Sequence, residues 1–291
     1  MSACDVRQET EQHPEFAEQI ERIAPRVIPV VEEVTGLLLG PRPVIRLLSP
    51  VAWVQAVVDH QARVNARDIA HFDMSDDEIL QLDARLTALE AELRYIWMGA
   101  AGATIEDGNG IAQVLMAPEM LHHNGYEEPE LMKVLAHELT RVGQHRAGEG
   151  AAFHAQLTSV PHWWGLEQLR PSFFLSGHAR WADTEVTTRL IGWEVPVGST
   201  GRETALCRRM HEEAVARYQG AADQNGAPRP PGPPQSAYDE GSQWVRTAVK
   251  EVGVTVLNRA WQDVTLMPTV AEIDNQRLWF QRINPADTSG R

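Results

Sequence analysis

Residues 136–146 read AHELTRVGQHR, and His137 with Glu138 opens the pattern H-E-x-x-H. On a helix, histidines at i and i+4 share one face and can hold one zinc ion, while the intervening Glu activates a metal-bound water. Here the second histidine position is filled by Arg141. A guanidinium stays protonated in proteins and repels a dication beside it, and its fork of donors suits carboxylates and phosphates instead. His137 and Glu138 remain as acid–base groups whose usefulness depends on tuned pKa values. His145 stands two helical turns beyond His137, about 12 Å along a straight helix and out of reach of a shared ion. Only an early helix end at Gly143 would let it fold back.

Several elements must position these residues. A helix over 129–146 begins with acidic residues and Pro129, which suits a helix N-terminus. Ahead of it, GNGIAQVLMAP (108–118) reads as the clearest strand, opened by a Gly-Asn-Gly turn and halted by Pro118. The intervening loop is polar, and its His122 and His123 read as solvated. Further upstream, Phe16, Ile20, Ile23, Val27, Val31 and Val34 recur at helical spacing before the stop signal Gly36. PVIRLLSP (43–50) suits a strand and 51–71 a helix. Ser75 and Glu78 form a capping box for a helix with Leu82, Leu86, Leu89 and Leu93 on one face. Downstream, Trp163 and Trp164 anchor a loop onto the core. Helices follow over 173–190 and 202–219, with Cys207 as a small core residue. Residues 1–15 read as a loose terminus, 221–237 as a Pro/Gly-rich loop, and 238–285 as a C-terminal helical segment of one domain spanning 1–291.

With 291 residues, 43% of them hydrophobic, the chain can bury a substantial core without staples. Its net charge of −14 and the absence of a basic run exclude nucleic-acid and anionic-membrane partners, which need a basic face. Two cysteines form no disulfide framework. No apolar leader or membrane-length run is present, so the expected location is the cytoplasm.

The motifs resemble a bacterial family of zincin-like metallopeptidases labelled as associated with deazaflavin-coenzyme biosynthesis. In that family a first helix carries H-E-x-T-H and a later helix opens E-G-H-A. Here the later stretch reads Ser176-Gly177-His178-Ala179. The C-terminal part is the most distinctive. Tyr238, Gly241, Trp244 and Val245 lead to Gly253, then Leu257, Asn258 and Trp261, then Met267 in place of a Leu, with Pro268 and Thr269. Glu272, Ile273, Trp279 and Arg282 close the match.

The resemblance implies an α+β, mostly helical, zincin-like fold with a small sheet next to the H-E-x-x-R helix. It also implies a cleft between that helix and the one bearing Ser176. Position by position, His137 falls at the first metal ligand, Glu138 at the general base and Thr140 at the family threonine. Arg141 and Ser176 replace the other two ligands, and a serine hydroxyl is a poor zinc ligand. No cofactor is therefore expected, with zinc as the alternative if His137, His178 and Asp183 or Glu185 rebuild a site. His178 otherwise reads as a structural hydrogen bond between the two helices. The leading expectation is a repurposed cleft that binds and transforms a small anionic molecule. Glu138, His137 and Arg141 would be its reactive groups, and Arg141, Ser176 and His178 would face the ligand. A rearranged metallohydrolase and a pseudopeptidase that binds a peptide or small molecule are the alternatives.

Overall fold

Four short segments pair into one mixed sheet: β1 (Asp5–Gln8), β2 (Val44–Leu47), β3 (Ala103–Glu106) and β4 (Ala112–Met116), in the order β1-β2-β4-β3. This is a computed structural model and describes residues 3–40, 42–196, 198–225 and 235–284. β1 and β4 run parallel to β2, and β3 is antiparallel to β4. All five residues of β4 are buried, as befits an interior strand covered on both faces. The turn into β4 is built by Asp107, whose carboxylate accepts from the backbone N–H groups of Asn109 and Ile111.

Residues 1–15 were expected to be loose, yet Asp5–Gln8 is the edge strand in register with Val44–Leu47, and Cys4 is fully buried. Backbone pairing supplies that order, and it is blind to the polar side chains that made the segment look unstructured. β3 was not foreseen either, because ATIE carries less apolar character than the equally short β2.

Helices make up the rest. α1 (Glu15–Thr35) buries the expected apolar stripe and stops at Gly36, whose φ of 64° lets its N–H cap Glu32. α2 (Pro50–His71) starts at the Ser49 cap, and α3 (Asp76–Ile96) carries the Ser75–Glu78 capping box. After β4 come α4 (Pro118–His123), α5 (Glu128–Ala147), α6 (Ala151–Leu157) and α7 (Pro171–Ile191). The chain continues through α8 (Ala205–Asn225), α9 (Gln235–Val252), α10 (Val254–Leu257), α11 (Arg259–Gln262), α12 (Val270–Asp274) and α13 (Gln276–Ile283). The Pro/Gly-rich stretch expected over 221–237 falls mostly outside the described residues.

The result is an α+β architecture dominated by helices, with α5 laid against β3 and β4. One cluster of buried apolar side chains runs from Cys4 to Ile283. α5 packs on α1 and α7, and α7 packs on α9. Gly143 does not end α5. A β-carbon there would lie 2.9 Å from Leu37 Cβ, so the glycine serves close packing against the segment after α1. Among the described residues, no helix is long and apolar enough to cross a membrane.

Candidate functional site

Lys133, His137 and Arg141 follow one another at four-residue intervals and so lie on one face of α5. Opposite them stands α7, with Ser176, Arg180 and Asp183. α9 closes the third side. It crosses α7 where a β-carbon on Gly177 would come within 2.5 Å of the Gly241 backbone. That glycine contact brings Tyr238, one turn before Gly241, down to the site. The phenol hydrogen-bonds Ser176 and interacts electrostatically with Arg141 and Glu138, and its ring centre is 6.5 Å from that of His137. Burial pushes the Tyr238 phenol up, Arg141 pulls it down, and Glu138 adds to the rise.

Asp183 organises the centre. Its carboxylate is 3.0 Å from His137 Nδ1, 2.9 Å from Lys133 Nζ and 3.0 Å from an Arg180 guanidinium nitrogen. Burial works against the charged carboxylate, but the His137 hydrogen bond and the charges of Lys133, His137 and Arg180 outweigh it and hold the group below its ordinary value. When the imidazole is neutral, a carboxylate at Nδ1 places the proton on that nitrogen and leaves the lone pair on Nε2. Burial pulls Lys133 down, against the attraction of Asp183.

Arg141 donates to Gln156 Oε1 at 2.8 Å and lies 4.8 Å over the Phe153 ring, both from α6. No carboxylate of the described residues forms an ion pair with it. Burial pulls its pKa down while Glu138 and Tyr238 oppose that shift, and a guanidinium remains charged throughout. Glu138, three residues before Arg141 on α5, meets β3, where Thr104 donates to its carboxylate at 2.6 Å. Gly102 leaves room there, since a β-carbon at that position would sit 3.0 Å from Glu138 Cγ.

The donor set does not fit a resident zinc ion. Of the expected ligand positions, 141 holds a permanent cation and 176 a neutral hydroxyl bonded to Tyr238. The rebuilt trio is also overturned. His137 and Asp183 do meet, but His178 turns away from them. Its Nδ1 is 2.9 Å from the Gln144 amide nitrogen, its ring lies against Trp181 and Trp261, and burial pushes it down to about 3. His178 is therefore not a ligand-facing residue; it ties α7 to α5, as its structural reading anticipated. Glu185 lies 3.6 Å from Arg246 instead. His145 bonds Glu106 at 2.9 Å, facing the sheet. His122 and His123 sit on α4 rather than in a loop.

Lys133, Gln156, Phe153, Arg180 and Tyr238 escaped the sequence reading as site residues. For Lys133 and Arg180 the signal was available as i, i+4 and i, i+3 spacing from His137 and Asp183. Gln156 and Phe153 carried none, because α6 was not foreseen.

A solved protein from Chloroflexus aurantiacus, provisionally called a hydrolase with a novel fold, has a similar fold. The alignment covers 94% of this chain and 92% of that one, with a TM-score of 0.54 and 12% identity. At that identity the likeness is one of fold. No family profile and no curated protein matches the sequence.

Proposed function

We propose that this is a zincin-derived scaffold whose former metal position is occupied by Arg141, and that the cleft binds and hydrolyses a small anionic molecule without a resident metal. The observation that carries this reading is the Arg141 guanidinium. It is partly buried, steadied by a neutral amide and an aromatic ring, and no described carboxylate pairs with it. A partly desolvated cation that no described carboxylate contacts, and that Glu138 reaches through its charge alone, favours an anionic ligand beside it.

The surrounding groups supply acid–base chemistry. His137, oriented by Asp183 at 3.0 Å, takes a proton from water through Nε2. The water attacks a carbonyl or phosphoryl centre of a ligand whose anionic group rests on Arg141; the ester or amide bond at that centre breaks, and the proton held by His137 passes to the departing oxygen or nitrogen. Tyr238, held by Ser176, donates a hydrogen bond to the oxygen that gains charge. A positioned base of this kind contributes roughly 10²–10⁴ in rate. Glu138 supports α5 through Thr104 and reaches Arg141 by its charge. The provisional hydrolase label of the similarly folded Chloroflexus protein agrees with this reaction class.

The test is a panel of carboxylate- and phosphate-bearing esters and amides, scored by thermal shift and turnover, with and without chelator. Wild type should bind and turn over a subset regardless of chelator. Arg141→Met should abolish the thermal shift. Asp183→Asn should keep binding but lower turnover by roughly 10²-fold or more, because the His137 ring is no longer oriented by a carboxylate. Turnover that vanishes with chelator and returns with zinc would sink the proposal. Binding with no turnover, unaffected by His137→Gln, would make the cleft a binding module instead.

A further inference from the structure

A second constellation lies away from the cleft. His13, in the segment ahead of α1, and His122, on α4, stack their rings with centres 4.1 Å apart and planes 16° apart. Glu15 completes the group, with a carboxylate oxygen 3.3 Å from His13 Nδ1. One ligand atom from each of the three residues lies within 4.8 Å of the others. His13 adopts a φ of 49°, in the left-handed region that non-glycine residues seldom occupy.

We propose that His13, Glu15 and His122 form a surface site for a divalent transition-metal ion, with zinc as the type case. Two imidazoles and one carboxylate are borderline donors. They favour zinc, cobalt, nickel or copper over magnesium and calcium, which take all-oxygen shells. In a tetrahedral site with bonds of ~2.1 Å the ligand atoms stand ~3.4 Å apart, so these three must close by about an ångström. Parallel stacked rings cannot both aim an in-plane lone pair at one ion, and binding therefore turns one ring out of the stack. The side chains are free to do so. His13 is 26% exposed and Glu15 53% exposed, and His122 is exposed. Water fills the remaining positions. His123 borders the site but is engaged elsewhere, its Nδ1 2.9 Å from the Thr204 hydroxyl. The ion would bridge the segment joining β1 to α1 with α4, the element that leads into α5. It would pin an edge of the fold rather than act in the cleft.

The experiment uses untagged full-length protein stripped with chelator and then dialysed free of it. Cobalt is titrated while its visible absorption is followed, and zinc is titrated by calorimetry. Wild type, His13→Ala, His122→Ala and His137→Ala are compared, each checked for folding by circular dichroism. The expected result is one ion per chain in wild type. Affinity should fall at least tenfold in His13→Ala and in His122→Ala and stay unchanged in His137→Ala. No binding by wild type, or binding that survives both surface substitutions, overturns the site. Loss in His137→Ala with retention in His13→Ala also overturns it and moves the ion to the cleft.

Discussion

Arg141 is held by Gln156 and Phe153 of α6 and interacts electrostatically with Glu138 and with the Tyr238 phenol of α9. Its exchange for histidine, together with Ser176→Glu, removes the fixed positive charge and supplies the two absent donors beside His137. That double variant is expected to bind zinc stoichiometrically in the cleft, read by metal analysis after gel filtration in a His13→Ala background. Arg141→His alone should not, since Ser176 still offers a poor ligand. A double variant that stays metal-free would mean that α5 and α7 are not spaced for an ion, and would weaken the descent from a metal site. The residue types were readable directly: His137, Glu138 and Arg141 share one short motif, and Ser176 stands where the resemblance led one to expect a Glu. Their partners were not readable. Asp183 had been considered as a metal ligand, whereas it is the anion that gathers Lys133, His137 and Arg180. Which of several carboxylates on a helix meets which cation depends on the rotation and depth of two packed helices.

The site is assembled by the crossing of α7 and α9, where two glycines let the backbones touch. Gly177→Ala places a methyl group 2.5 Å from the Gly241 backbone, and the helices must separate to admit it. Overpacking of this kind costs roughly 1–3 kcal/mol. A drop in melting temperature of several degrees is expected, along with a larger loss of ligand binding than stability alone explains, because Tyr238 moves with α9. Gly108→Ala, in open space with an unstrained backbone, is the matched control and should change neither. Equal effects from the two variants would remove the crossing from the account of the site. Helices with strong apolar periodicity, such as α1, and those with a capping box, such as α3, were legible from sequence because their signals are local. β1, β3 and α6 were not: DVRQ and ATIE carry less apolar character than the equally short β2, and α6, at seven residues, is too short for a helical period to show.

Across the molecule, buried histidines link stability to pH. Burial pushes His178 down to about 3 and His60 to about 4, against ~6.5 in an unfolded chain. Below ~6.5 the unfolded chain takes up protons that the folded chain refuses, so their contribution is complete above that pH and is lost as pH falls, toward about 4 for His60 and about 3 for His178. Each group adds a slope of up to ~1.4 kcal/mol per pH unit. Asp183, held below its ordinary value, acts in the same direction only below ~3.9. Urea unfolding between pH 7 and pH 4.5 should therefore show declining stability, flattened in His60→Leu. An unchanged slope in that variant would acquit His60. Class, helix positions and the departure from a metal motif could be read along the chain, because periodicity, caps and residue chemistry act over a few neighbours. The order of the strands, the Asp183 hub, the Tyr238–Ser176 contact and the meeting of His13 with His122 were decided by folding, because each joins residues distant in sequence whose approach depends on how whole helices pack.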